Sequence, residues 1–300
     1  MKPLQTPAAF RLTAGAARAL APLSPPLAGL AAARLWFTPW PVPVADRALE
    51  KQAHWLQATE RLLFRTRDGH RLHGFGAGEG PNVLLVHGWG EWAANLGAFI
   101  DPLTKAGYRV TAFDLPAHGT SSGSQTDAYV NAAAVRDATA FLGGVHAIVA
   151  HSMGAHATTV ALHQGLEVNA VALLAPVVRL YSVDLFKEML SLPEASARAL
   201  KATIERRYGS SVWSDLSTEL LARGIDTPAL VVHDPDDDQV AVGDVRMLAE
   251  AWSRARLVAT EGLGHGRIIR DAHVIRHVVG FLDDHARPAY VSSGVASELS

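Results

Sequence analysis

Six short apolar runs, separated by longer segments of helical character, constrain the fold of this chain more than any other feature. The runs are Val83–Val86, Tyr108–Phe113, Ala147–Ala150, Ala170–Leu174, Ala229–Val232 and Arg256–Ala259. Strands that are apolar on both faces are typical of a parallel sheet covered by helices. The intervening segments 95–106 and 126–142 are long enough to be crossover helices. The pattern therefore predicts a mostly parallel, helix-covered α/β sheet.

A hairpin is predicted at the entry to this sheet. Residues 62–66 and 71–75 flank a segment that contains Asp68-Gly69. Asp-Gly between two apolar stretches is a strong hairpin signal, because both residues tolerate the positive φ angles of the tight turn. We expect an antiparallel pair of strands here.

One stretch of about 50 residues, between Pro176 and Asp226, interrupts the alternation. Its pattern predicts helices over 184–190, 193–208 and 214–223. Pro193 at the start of the second helix and Gly209 just past its end agree with the usual capping preferences. An excursion of this size between two strands predicts an inserted helical cap.

The first 45 residues differ in character from the rest of the chain. Their basic residues are Lys2, Arg11, Arg18 and Arg34. No acid precedes Asp46, and apolar residues recur at roughly helical spacing between Leu12 and Leu30. We expect a helical arm docked on the domain or on a second subunit of a homo-oligomer. Association of residues 1–45 with a membrane surface and a targeting peptide are the alternatives.

Bulk properties exclude several function classes. The formal net charge of -2 does not support nucleic-acid binding. The absence of cysteine excludes disulfides, thiolate metal sites and a cysteine nucleophile. No metal-ligand spacing is present, since His151 and His156 lie five residues apart and do not share a helix face. No stretch reaches the ~18 apolar residues of a membrane span. We expect a cytoplasmic protein that needs no cofactor.

Ser152 is the first candidate for chemistry, because it lies between a predicted buried strand and a predicted helix. A serine on such a sharp turn needs small residues two places before and two places after it, and Ala150 and Gly154 meet this requirement. The positive end of the following helix would face the site. The other interpretation is a serine that only caps the helix.

Three further strand ends offer groups that a serine nucleophile needs. Gly88 and Gly90 follow Val83–Val86, so we assign the two oxyanion donors to the backbone amides of Trp89 and Met153. His87 is interpreted as structural. After Ala229–Val232, the loop contains a histidine-orienting acid among its four candidates, Asp234, Asp236, Asp237 and Asp238.

His265, within Gly262-Leu263-Gly264-His265-Gly266, is the histidine that combines a glycine-rich loop with a position after the acid. The glycines suggest a ring that can swing between serine and carboxylate. The chain order serine, acid, histidine is the one found in α/β-hydrolases.

With these motifs in place, residues 60–285 resemble the α/β-hydrolase superfamily. The resemblance rests on His-Gly-x-Gly from His87, the Ser-x-Gly turn, the loop from Asp114 to Gly119 and the late Gly-His. It selects Asp237 as the acid, with Asp236 as the runner-up, and it implies a structural role for Asp114 and His118. Asp234 stands where the family pattern has glycine.

The resemblance implies an α/β-hydrolase fold with an inserted helical cap. We expect an N-terminal arm over 1–58, a core over 59–176 and 226–287, a cap over 177–225 and a flexible tail over 288–300.

The implied activity is hydrolysis of a carboxylic ester or thioester of small-molecule size by a Ser152–His265–Asp237 triad. The same triad could act on amides or peptides, on C–C bonds or in perhydrolysis, and a non-catalytic ligand-binding or scaffold protein is the alternative of another class. The expected wall of the acyl site consists of Trp92, Leu180, Tyr181, Phe186 and Leu190.

Overall fold

The structure is a computed structural model that describes residues 8–41, 55–57, 59–179 and 183–285. Its centre is one eight-stranded sheet with the order β1-β2-β4-β3-β5-β6-β7-β8. In chain order the strands are β1 (Glu60–Arg65), β2 (Arg71–Ala77), β3 (Asn82–Val86), β4 (Arg109–Phe113), β5 (Ala147–His151), β6 (Ala170–Leu174), β7 (Ala229–His233) and β8 (Ala255–Ala259).

Strand directions confirm the expected entry hairpin and mostly parallel sheet. β1 pairs with β2 in antiparallel fashion, and β2 pairs with β4 in the same way. All the pairings from β4 through β3 to β8 are parallel. At the β1–β2 turn, Gly69 has a φ of 87° and its amide donates to the carbonyl of Thr66 at 2.9 Å. A side chain at this angle would be strained, and glycine avoids that cost.

Helices cover both faces of the sheet. They are α1 (Ala8–Leu20), α2 (Pro25–Phe37), α3 (Ile100–Lys105), α4 (Ala128–Phe141), α5 (Met153–His163), α6 (Val183–Leu190), α7 (Glu194–Tyr208), α8 (Val212–Asp215), α9 (Thr218–Ala222), α10 (Val242–Ala251), α11 (Gly264–Arg267) and α12 (Ala272–His285). Short 3-10 helices span Ala93–Phe99 and Ile268–Arg270.

The central strands bury side chains on both faces, as their continuous apolar character predicts. Along β3, Leu84 and Val86 belong to the apolar cluster beneath α4, α5 and α10. Val83 and Leu85 alternate with them and belong to the cluster on the other face, beneath α3 and α12. The carboxyl ends of β3, β5, β7 and β8 lie along one edge, where polar loops meet.

Two expectations about local structure are wrong. β8 was expected to be buried on both faces, but it is the last strand of the sheet and Leu257 is 37% exposed. The predicted helix over 214–223 is two short helices, α8 and α9. The chain breaks between them because the amide and hydroxyl of Thr218 both donate to the carbonyl of Val178, at 3.0 and 2.9 Å.

α1 and α2 form a helical hairpin, called the N-terminal hairpin below, that packs on the inserted segment. α2 crosses α7 closely: a Cβ added at Gly29 would lie 2.5 Å from the Cβ of Ala199. The predicted tail over 288–300 and the predicted boundary at residue 58 lie outside the described residues. Among the helices that are described, none has the length and apolar character needed to cross a bilayer.

Candidate active site

Ser152 lies on a strained turn between β5 and α5. Its φ of 52° and ψ of −120° fall in a region that residues other than glycine rarely occupy. Backbone hydrogen bonds hold it there, since its amide donates to the carbonyl of Leu174 at 3.0 Å and its carbonyl accepts from the amide of Val177 at 3.3 Å. Gly154 is required for close approach, because a Cβ at this position would lie 2.4 Å from the carbonyl oxygen of His87. The turn therefore fixes the direction of the serine side chain.

Ser152, His265 and Asp237 form one continuous chain of hydrogen bonds. The Ser152 Oγ lies 2.9 Å from Nε2 of His265. Nδ1 of the same ring lies 2.8 Å from Oδ2 of Asp237. With the ring proton on Nδ1, Nε2 is free to accept the serine proton. The structure thus brings the three residues together, and His265 lies in the short helix α11 rather than on an open glycine loop.

Asp237 is held as a buried, ionised acceptor. Its Oδ1 accepts the amide N–H groups of Gln239 at 2.8 Å and Val240 at 3.0 Å, and its side chain is fully buried. Burial favours the protonated acid, but the hydrogen bond from His265 and the two amides outweigh it and lower the pKa of Asp237. The neighbouring Asp236 is exposed and makes no contact with the histidine ring.

The proposed oxyanion donors are the amides of Trp89 and Met153. Both residues line an apolar cavity that is described below. Met153 begins α5, so its N–H is one of those that a helix leaves without an internal acceptor. In the described part of the chain, neither amide donates a hydrogen bond to another protein group. Both amides are therefore without a protein acceptor in this part of the chain.

A buried pair that we did not predict, Glu91 and His151, lies behind the reacting groups. Nδ1 of His151 is 3.0 Å from Oε2 of Glu91, and its Nε2 is 3.0 Å from the carbonyl oxygen of His265. Because both partners are acceptors, both ring nitrogens must donate, and His151 is an imidazolium. The same Glu91 oxygen also accepts the amide of Gly88 at 2.8 Å.

The pKa values of this pair shift apart. Burial favours a neutral His151, but the charge of Glu91 and the hydrogen bonds to Glu91 and to the His265 carbonyl raise the pKa of His151. Burial likewise favours a protonated Glu91, and the charge and hydrogen bond of His151 and the Gly88 amide lower its pKa to about 2. The only sequence signal for the pair was an acid next to the glycines after β3, which gave no indication of its partner.

The neighbouring polar residues hold loops in place. His87 is fully buried, and its Nε2 accepts the amide of Leu115 at 2.9 Å. Asp114 accepts the amides of Ala93 and Thr120, both at 2.8 Å. The structural interpretation of His87 and Asp114 agrees with these contacts.

Asp234 joins the acid loop to the histidine loop. Its Oδ1 accepts the amide of Asp236 at 2.9 Å, while its Oδ2 accepts the amide of Leu263 at 2.6 Å and the hydroxyl of Thr260 at 2.9 Å. The carboxylate at the position where the family pattern has glycine therefore fixes the two loops relative to each other.

An apolar cavity of about 410 Å³ opens beside the serine turn, against Trp89 and Met153. Of the five predicted wall residues, Phe186 lines it. Leu190 is buried in the adjacent core without lining it, and Trp92 packs against the apolar cluster on the other face of the sheet. Leu180 and Tyr181 lie outside the described residues. The N-terminal hairpin supplies wall residues that we did not predict.

No group of three or more acidic or histidine side chains in the described residues has an arrangement that could hold a metal ion. The chemistry that this geometry supports is nucleophilic attack by Ser152, with His265 as the proton acceptor.

Residues 83–277 match the Alpha/beta hydrolase family. A segment is 38% identical over 114 residues to a 2-hydroxy-6-oxononadienedioate/2-hydroxy-6-oxononatrienedioate hydrolase of Escherichia coli O81 (strain ED1a), covering 34% of this chain and 38% of that protein. Another is 47% identical over 45 residues to a pimeloyl-(acyl-carrier protein) methyl ester esterase of Methylococcus capsulatus, covering 15% of this chain and 17% of that protein.

These matches span well under half the length of either curated relative. Among solved structures, an esterase from Pyrococcus furiosus superposes with a TM-score of 0.64 and 21% sequence identity, over 84% of this chain and 98% of that one. A similarity at 21% sequence identity shows that the two proteins share a fold.

Proposed function

Because the chain belongs to the alpha/beta hydrolase family, we propose that it hydrolyses carboxylic esters or thioesters, with Ser152 as the nucleophile. The observation that carries the proposal is the unbroken path from Ser152 Oγ through both nitrogens of His265 to Asp237, with distances of 2.9 and 2.8 Å. One curated relative, from M. capsulatus, is named as an esterase.

The first half-reaction forms an acyl-enzyme. Ser152 Oγ attacks the acyl carbon while its proton passes to Nε2 of His265, and the carbonyl becomes a tetrahedral oxyanion. Asp237 stabilises the resulting imidazolium. As the tetrahedral species collapses, the bond to the leaving alcohol or thiol breaks, and His265 returns the proton to that leaving group.

Deacylation repeats these steps with water. His265 takes a proton from the water molecule, the hydroxide adds to the acyl carbon, and Ser152 leaves with the proton. In both halves the amides of Trp89 and Met153 face the oxyanion, and Met153 is the first residue of α5, whose positive end adds to the stabilisation.

The dienedioate named for the E. coli relative is a less well supported substrate. A dioate carries two carboxylates, and its second carboxylate would need a cationic partner. The ionisable residues with carboxylates in the described cavity wall are Asp127 and Asp238, and that wall contains no Lys or Arg. The cavity therefore favours esters with an uncharged acyl group.

The test is Ser152→Ala, compared with Ser253→Ala at an exposed serine remote from the triad contacts. Purified protein is assayed on p-nitrophenyl butyrate and treated with a fluorophosphonate probe. We expect Ser152→Ala to lose labelling and about 10⁶-fold in kcat, and Ser253→Ala to retain both. Retained labelling of Ser152→Ala would refute the assignment of the nucleophile.

A further inference from the structure

The N-terminal hairpin is anchored to the two parts of the molecule that enclose the cavity. Towards the inserted helices, the ring of Trp36 packs edge-on against Phe186 with centroids 5.1 Å apart. Towards the sheet, the amide of Thr126 donates to the carbonyl of Phe37 at 2.8 Å, just before α4. The hairpin is thus fixed to both of these parts.

Four residues of the hairpin and one residue just after it line the cavity, and all are aromatic or aliphatic. They are Phe10, Leu35, Trp36, Phe37 and, three residues beyond the end of α2, Trp40. These residues precede the part of the chain that matches the family, residues 83–277. The wall they form therefore lies outside the part of the chain that matches the family.

The same cavity reaches Trp89 and Met153, whose amides are the proposed oxyanion donors. A volume of about 410 Å³ lies in the range of small-molecule sites. The cavity thus extends from Met153, the residue next to Ser152, to the hairpin. Asp127, at the wall, is already engaged by the hydroxyl of Tyr208 at 2.5 Å and does not offer a free polar anchor.

We propose that the N-terminal hairpin is the specificity element of the site, and that it holds the uncharged acyl chain of a medium-chain ester or thioester. This inference rests on the proposed function. Chain length is selected because each added methylene that contacts the aromatic wall strengthens binding, up to the depth of the cavity.

Phe10→Ala tests the wall, and Leu12→Ala is its matched control. Both residues lie in α1, but Phe10 lines the cavity and Leu12 is 74% exposed. The measurement is kcat/KM on p-nitrophenyl acetate, butyrate, octanoate and laurate. We expect Phe10→Ala to lower the octanoate-to-acetate ratio of kcat/KM by about tenfold or more, and Leu12→Ala to leave that ratio unchanged.

Phe10→Trp provides a second variant that retains the aromatic contact with Trp40, whose ring centroid lies 5.4 Å from that of Phe10. The larger ring would shorten the cavity, so the preferred chain length should decrease. A matched pair of substrates tests the effect of charge. The kcat/KM on p-nitrophenyl octanoate should exceed that on mono-p-nitrophenyl suberate by about tenfold or more, because the suberate carboxylate would be buried against the apolar wall without a partner.

The results separate this inference from the proposed function. If the wild type hydrolyses every ester and the octanoate-to-acetate ratio is the same in Phe10→Ala, Phe10→Trp and Leu12→Ala, the hairpin is not a specificity element. Equal kcat/KM values on the octanoate and suberate esters would refute the proposal that the acyl chain is uncharged. If the wild type hydrolyses no ester of any length and is not labelled by a fluorophosphonate, the proposed function itself fails.

Discussion

Asp237→Asn is the change that most directly tests the arrangement of the site. The carboxylate accepts from three donors: Nδ1 of His265 on Oδ2, and the amides of Gln239 and Val240 on Oδ1. An asparagine side chain has only one acceptor oxygen. The two backbone donors hold that oxygen on their side, so the NH₂ group must face Nδ1 of His265.

The consequence is a histidine in the wrong tautomer. With an NH₂ group opposite, Nδ1 must act as an acceptor, and the ring proton moves to Nε2. Nε2 then points a proton at Ser152, 2.9 Å away, and cannot accept one. A substitution with this effect lowers kcat by about 10⁴-fold in a Ser-His-Asp enzyme. At about 1.36 kcal/mol per tenfold change, that is about 5 kcal/mol of transition-state stabilisation.

The assay compares kcat/KM on p-nitrophenyl butyrate for the wild type, Asp237→Asn and Asp236→Asn. The control changes the same functional group one residue away, at an exposed side chain. We expect Asp236→Asn to stay within about threefold of the wild type, since surface substitutions of this kind perturb little. An Asp237→Asn enzyme within tenfold of the wild type would refute the tautomer argument, and a collapse in Asp236→Asn would move the acid to that residue.

Three further predictions concern stability, each measured by urea or thermal unfolding. Glu91→Gln removes one charge of a buried pair and should lower the free energy of unfolding by about 3 kcal/mol; an unchanged value would mean that His151 is neutral. Gly154→Ala should destabilise by about 2 kcal/mol and reduce esterase activity, because its Cβ would overlap backbone carbonyls, whereas Gly280→Ala, with open space in α12, should stabilise by about 0.5–1 kcal/mol. Burial lowers the pKa of His156 to about 4, from 6.5 in the unfolded chain, so the unfolded state binds more protons below pH 6.5. Stability should therefore fall by up to about 3 kcal/mol as the pH drops from 7 to 4, and His156→Gln should flatten that slope.

Features encoded within a few neighbouring residues were predictable from the sequence. The apolar runs identified β3 to β7 almost to the residue, because burial on both faces demands continuous apolar character. The small residues around Ser152 predicted its strained turn in the same local way. β8 also carries apolar residues, Leu257 and Val258, beside Arg256, but its position at the sheet edge depends on the order of strands, which no single run encodes.

Wall residues of the cavity were harder to predict, because they come from distant segments. Trp92 follows the motif after β3 and Leu190 lies in the inserted segment, yet each packs with a core cluster. Phe10 and Trp40 are far from every motif and line the cavity. Aromatic residues in a core and in a ligand site have the same sequence signature, so only the packing of the hairpin on α7 distinguishes them.

The buried pair shows why a complete candidate site needed the structure. Glu91 binds the amide of Gly88 in the oxyanion loop, and His151, bound to the same carboxylate, donates to the carbonyl of His265. One ion pair therefore connects the loop that follows β3, which carries a proposed oxyanion donor, with the backbone of His265, the proposed proton acceptor. Asp234 makes the corresponding link between the acid loop and Leu263, two residues before His265. Hydrogen bonds on both sides therefore hold His265 in place, and the 2.9 Å distance from its ring to Ser152 depends on residues that do not hydrogen-bond to the serine hydroxyl. The roles of these residues follow from tertiary contacts between residues more than 25 positions apart in the sequence, which no motif encodes.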